Sequence, residues 1–116
     1  MAANPLSPSR GLQLSTVKKG ETTTVYGSGR ITLDNCDLLR STIRGLIPEG
    51  KRIVFDMTDI NHIDSSGIGA LVSVYLAASK AQCNLELANL QPRIRDLFEL
   101  ARLTAVFESR GGSSAA

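Results

Sequence analysis

The strand-like segment Ile53-Val54-Phe55 leads, within a few residues, into the run Ile63-Asp64-Ser65-Ser66-Gly67-Ile68-Gly69-Ala70-Leu71. A helical pattern starts in that run, so strand and helix are joined with no room for a long loop. A chain built on such steps lays strands side by side and sends helices back across them with a right-handed turn. The junction also carries chemistry. Ser65 falls at or just before the helix start, where several backbone N–H groups have no partner within the helix. Ser is a favoured N-cap there, and Asp64 adds negative charge near the positive end of the helix dipole. Gly67 and Gly69 strip side chains from the first turn, which opens the backbone to close approach by a partner. Each costs roughly 0.5–1 kcal/mol against Ala in a helix. That cost, beside an exposed hydroxyl, points to a function.

The periods alternate along the rest of the chain. Leu12, Leu14 and Thr16 lie on one face of a strand, Thr22 to Tyr26 reads as a second, and Lys19-Gly20 is a hairpin turn between them. Gly27-Ser28-Gly29 reads as a bulge or tight bend. Asp34 or Asn35 caps a helix whose apolar positions are Leu39, Ile43, Leu46 and Ile47, and Pro48-Glu49-Gly50 stops it. Lys51 to Asp56 is expected as a fully buried parallel strand, because Ile53, Val54 and Phe55 are continuous rather than alternating. The helix after Ser65 places Ile68, Leu71, Val72, Tyr75 and Leu76 on one stripe. Leu85 to Leu90 forms the next strand, and Pro92 opens a third helix with Ile94, Leu97, Phe98 and Ala101 in register. Val106-Phe107 adds a last short strand. The fold class is α/β, a single domain over residues 11–108 with a mixed sheet, an N-terminal hairpin and following βα units. Residues 1–10 and 109–116 lack apolar periodicity and read as flexible ends.

Composition narrows the function. At 116 residues one domain is the natural count. The net charge is +2, and the basic residues Lys18-Lys19, Lys51-Arg52, Arg93 and Arg95 are scattered, with only 4% aromatics, which argues against direct nucleic-acid binding. Cys36 and Cys83, without a secretory signal, read as reduced thiols of a cytoplasmic protein. The apolar stretch from Gly67 to Ala78 is too short to span a bilayer. His62 is the sole histidine, so a metal site lacks ligands. An enzyme using Ser65 as nucleophile is disfavoured, because Ile63 stands where the Gly-x-Ser-x-Gly elbow needs glycine. His62 also precedes Ser65, the reverse of the hydrolase order. A nucleotide at the helix start meets repulsion from Asp64 and finds no Lys in the motif. The chain is read as a non-enzymatic module that needs no cofactor.

From about Leu12 to Phe107 the sequence resembles the STAS domain of anti-sigma factor antagonists. The resemblance rests on the apolar strand, then Asp56-Met57-Thr58-Asp59, then the run from Ile63 to Leu71. It implies that Ser65, the first Ser after the Asp, is the phosphorylated residue of a partner switch. Asp64, Ser65, Ser66, Gly67 and Gly69 then form the docking end. In well-known antagonists the turn after the second strand reads Gly-Glu-Leu-Asp; here it is Gly29-Arg30-Ile31-Thr32. Thr32 replaces the acidic docking residue, Arg30 reverses a charge, and Asp34 is the nearest carboxylate. The partners implied are a serine-kinase anti-sigma factor, which uses ATP and Mg²⁺, and a metal-dependent serine phosphatase. The protein itself is expected as a monomer or weak dimer. The family also holds subunits of lipid-transport ATPase complexes and nucleotide-sensing modules. In the transport subunits the motif tends to carry Thr or Ala, so the intact Asp64-Ser65-Ser66-Gly67 favours the switch.

Overall fold

A computed structural model describes residues 11–49 and 51–103. The chain runs β1 (Leu12–Lys19), β2 (Thr22–Ile31), α1 (Cys36–Leu46) with a short 3₁₀ turn (Ile47–Glu49), β3 (Arg52–Ile63), α2 (Ser65–Lys80), β4 (Asn84–Ala88) and α3 (Pro92–Leu100). The expected loose ends and the short strand at Val106-Phe107 lie outside the described residues.

The four strands form one sheet in the order β1-β2-β3-β4. β1 and β2 pair antiparallel from Leu12↔Gly29 to Lys19↔Thr22, which places the turn at Gly20-Glu21, one residue later than the sequence suggests. β3 is parallel to β2 on one side and to β4 on the other. This is the mixed sheet expected from the alternating periods. Its inner face carries Val25, Ile53, Phe55 and Leu85, which share one core with Leu39 and Ile43 of α1, Leu71 and Val74 of α2, and Ile94 and Phe98 of α3. Both cysteines are buried with free thiols.

Two expectations about β3 need correction. Val54 is only half-buried, because it points to the opposite face of the sheet, beside Thr24 and Glu86, away from that core. The strand also does not end at Asp56 but continues to Ile63. Its pairing with β2 slips twice, between Tyr26 and Ser28 and between Gly29 and Arg30, and each slip inserts one extra residue in β3. The two bulges turn the buried period from two to three, so Met57, Ile60 and Ile63 all face inward. The expected irregularity at Gly27-Ser28-Gly29 is thus real. Gly29 holds φ +107°, and a Cβ there would lie 1.9 Å from the Gly11 carbonyl oxygen, so only glycine fits where β1 begins.

Helix α2 buries Gly67, Ala70, Leu71, Val74 and Ala78. The stripe expected from apolar periodicity is rotated. Ile68, Val72 and Tyr75 are half-buried and Leu76 is 54% exposed. Of the expected stripe only Leu71 is buried; the rest of the inward face is Val74 and the small residues Gly67, Ala70 and Ala78, which let α2 lie close to its neighbours. β4 is shorter than predicted and ends at Ala88, and α3 ends at Leu100 with Ala101 exposed.

A serine at the start of helix α2

The bulged end of β3 delivers Asp64 directly to the N-terminus of α2. Asp64 adopts extended geometry (φ −107°, ψ −175°) and is the N-cap. Its Oδ1 accepts a hydrogen bond from the Gly67 backbone N–H at 2.9 Å. Its Oδ2 accepts from the Leu33 N–H at 3.3 Å. The Asp64 N–H in turn donates to the Ile31 carbonyl at 3.1 Å. One carboxylate thus caps the helix and clamps the β2–α1 loop against it. The cap expected of Ser65 belongs to Asp64, which suits the third N–H of the helix at this spacing.

Ser65 is the first residue of α2. It is exposed, and its hydroxyl makes no hydrogen bond among the described residues. Ser66 is half-buried beside it. Relieved of capping, the Ser65 side chain sits in solvent at the positive end of the helix dipole.

The neighbouring loop is built by Asn35, which is 2% exposed. Its Oδ1 accepts from the Thr32 N–H at 2.9 Å and its Nδ2 donates to the Arg30 carbonyl at 3.0 Å. Asn35 occupies the N-cap position of α1, yet its side chain makes no cap hydrogen bond to that helix. The loop is thereby held with Thr32 half-buried, and with Leu33 and Asp34 exposed beside the Asp64 cap. The structure therefore brings together Thr32, Asp34, Asp64, Ser65 and Ser66, residues far apart in sequence. Leu33, 73% exposed at this junction, was missed by sequence reasoning, since a lone apolar loop residue carries no periodic signal. Arg30 is exposed on β2 in register with His62, itself exposed on β3, so His62 has no place in a buried catalytic arrangement.

The two glycines, expected alike to open the first turn to a partner, differ. Gly67 is buried, and a Cβ on it would stand 2.6 Å from the Ile31 carbonyl oxygen and 2.7 Å from Ile63 Cγ1. It lets α2 settle onto the ends of β2 and β3, and offers no surface to a partner. Gly69 is exposed with nothing within 4 Å of such an atom.

A family model described as the STAS domain matches residues 13–113. The chain belongs to the STAS domain family. Among its relatives is the anti-sigma-B factor antagonist of Bacillus subtilis, 27% identical over 89 residues, a match covering 73% of this chain and 82% of that one. Among solved structures, an anti-sigma factor antagonist from Mycobacterium paratuberculosis superposes with TM-score 0.75 at 19% identity, over 87% of this chain and 86% of the other. The phosphorylated form of SpoIIAA, a Bacillus cell fate determinant, gives TM-score 0.63 at 21% identity, over 79% and 84% of the two chains. These likenesses place the four-stranded sheet and its helices in the STAS fold. No helix among the described residues of this STAS domain is long and apolar enough to cross a membrane.

Proposed function

We propose that this STAS protein is an anti-sigma factor antagonist switched by phosphorylation of Ser65. The observation that carries this is the division of labour at α2: Asp64 does the capping, and Ser65 is left exposed with an uncommitted hydroxyl. The antagonist relatives and the phosphorylated form of SpoIIAA support the same reading. Unmodified, the Ser65 end and the Thr32–Asp34 loop dock on a serine-kinase anti-sigma factor and free its sigma factor. The kinase transfers the γ-phosphoryl group of ATP to Ser65 Oγ, whose proton is lost to a base on the kinase; a metal-dependent serine phosphatase reverses the step. A phosphate brings about −1.5 to −2 charge and three acceptor oxygens. Beside Asp64 it makes the docking surface strongly acidic, while the helix N-terminus accommodates it without refolding. The chain contributes the acceptor hydroxyl and the surface, and the partner contributes the catalysis.

The test is to incubate the protein with each purified serine-kinase anti-sigma factor of the source organism, with ATP and Mg²⁺, and to map the phosphopeptide. Phosphate is expected on Ser65, retained in Ser66→Ala and absent in Ser65→Ala. Modification mainly on Ser66, or none with any kinase, overturns the proposal.

A further inference from the structure

Helix α2 is apolar on more faces than the core can use. From Ser65 to Ser79 it contains no charged residue, and Lys80 closes it. Besides its buried stripe it has a second one, Gly69, Val72, Leu76 and Lys80, which shares a helix face with Ser65 at i+4, i+7, i+11 and i+15. Leu76 on this stripe is 54% exposed. The stripe forms one wall of a groove of about 710 Å³, with Arg44 and Ile47 on the opposite side. Arg44 reaches across and donates from Nη2 to Ser73 Oγ at 3.2 Å. Arg44 and Lys80 are exposed cations with no ion pair among the described residues, and no Asp or Glu is among the described residues lining the groove.

We propose that the α1–α2 groove is a second docking surface, taking an amphipathic, acidic helical segment of the same partner that docks on Ser65. It rests on the reading of Ser65 as the docking end. Two features of this surface select this occupant. The groove is apolar at its floor and positive at its rim, the complement of a helix with apolar anchors at i, i+4 and i+7 flanked by Glu or Asp. It is also continuous with the Ser65 end along one helix face, over a rise of about 22 Å from Ser65 to Lys80. That distance exceeds the Debye length of about 8 Å at physiological salt. Phosphate on Ser65 is therefore screened from Lys80 at the far end of the groove, and that end holds its segment whichever state the serine is in. The groove supplies affinity, and Ser65 supplies the switch.

The experiment has two arms. In the first, a fluorescent helix-forming peptide of about 15 residues, long enough to follow the stripe, carries Leu anchors and flanking Glu, and a control carries Lys in place of Glu. The Glu peptide is expected to bind about tenfold more tightly than the Lys peptide, with NMR shifts at Val72, Leu76 and Ile47. Arg44→Glu/Lys80→Glu should abolish or reverse that preference, and Ser65→Asp should leave it unchanged. Equal binding of the two peptides, no binding, or shifts centred elsewhere overturns the groove. In the second, the kinase that phosphorylates Ser65 is titrated with wild type, Ser65→Asp, Arg44→Glu/Lys80→Glu and the combined variant. Additive losses are expected, about tenfold from the charge reversals. If only Ser65→Asp weakens binding, the groove proposal falls and the switch stands. If only the charge reversals weaken it, the switch falls and the groove stands.

Discussion

At the scale of single residues, the α2 N-terminus separates side chains that hold the fold from side chains left free to act. Asp64→Ala removes the cap and the clamp on Leu33, and is expected to cost about 0.5–2 kcal/mol. Ser65→Ala removes an exposed hydroxyl with no hydrogen bond, so its unfolding free energy should stay within about 0.5 kcal/mol of wild type. Urea titration of both variants checks this; a Ser65→Ala loss equal to that of Asp64→Ala would return the cap to Ser65. The glycine pair gives a second contrast. Gly67→Ala drives a methyl into the Ile31 carbonyl and Ile63, and should destabilise by about 1–3 kcal/mol. Gly69→Ala stands in open space on a helix and should stabilise by up to about 1 kcal/mol. Thermal unfolding of the two proteins decides it, and a neutral Gly67→Ala would contradict the close contact. The identity of Ser65 as the candidate was legible from its motif. Which neighbour capped the helix was not, because Asp and Ser are equally good N-caps and only the backbone angles at Asp64 choose between them.

Among the elements, α2 and β3 show where periodicity misleads. α2 offers apolar residues on nearly every face, so the sequence pattern admits several stripes. Of the stripe Ile68, Leu71, Val72, Tyr75 and Leu76 only Leu71 is buried, alongside Gly67, Ala70, Val74 and Ala78. Close approach to the sheet favours small side chains there, and this depends on where the ends of β2 and β3 lie. Leu71 and Leu76 test the rotation directly. Leu71→Ala, at a fully buried site, should cost about 2–5 kcal/mol. Leu76→Ala, more than half exposed, should cost far less. Equal costs by denaturant titration would place both in the core. For β3 the two bulges hide the strand. A period of three over Met57, Ile60 and Ile63 fits neither alternation nor a helix, so the segment looks like a loop until β2 is laid beside it.

Across the whole molecule, side-chain contacts join distant parts of the chain. One is at Asp56, whose carboxylate accepts from the Thr58 hydroxyl at 2.6 Å, the Thr58 N–H at 2.9 Å and Asn89 Nδ2 at 3.2 Å. Partial burial pushes its pKa up, but the hydrogen bonds from Thr58 and Asn89 outweigh this and hold it below the ordinary 3.8. Since the folded-state pKa is the lower, the charged form adds stability that is fully present above 3.8 and is lost as pH falls through the folded value. The stability gap between wild type and Asp56→Asn should therefore be widest near neutral pH and shrink as pH falls below 3.8. A gap that grows on acidification would reverse the sign. By itself the sequence determined the class of fold, its strand and helix order, and the serine to watch, because each is encoded in local periodicity and in a motif of adjacent residues. Only the tertiary structure decided that Asp64 caps while Ser65 stays free, that Gly67 packs while Gly69 is open, and that the Asn35 loop stands beside the helix start. Each of these turns on which backbone approaches which, and that is settled by the bulged register of β3 against β2 and not by any residue's own preference.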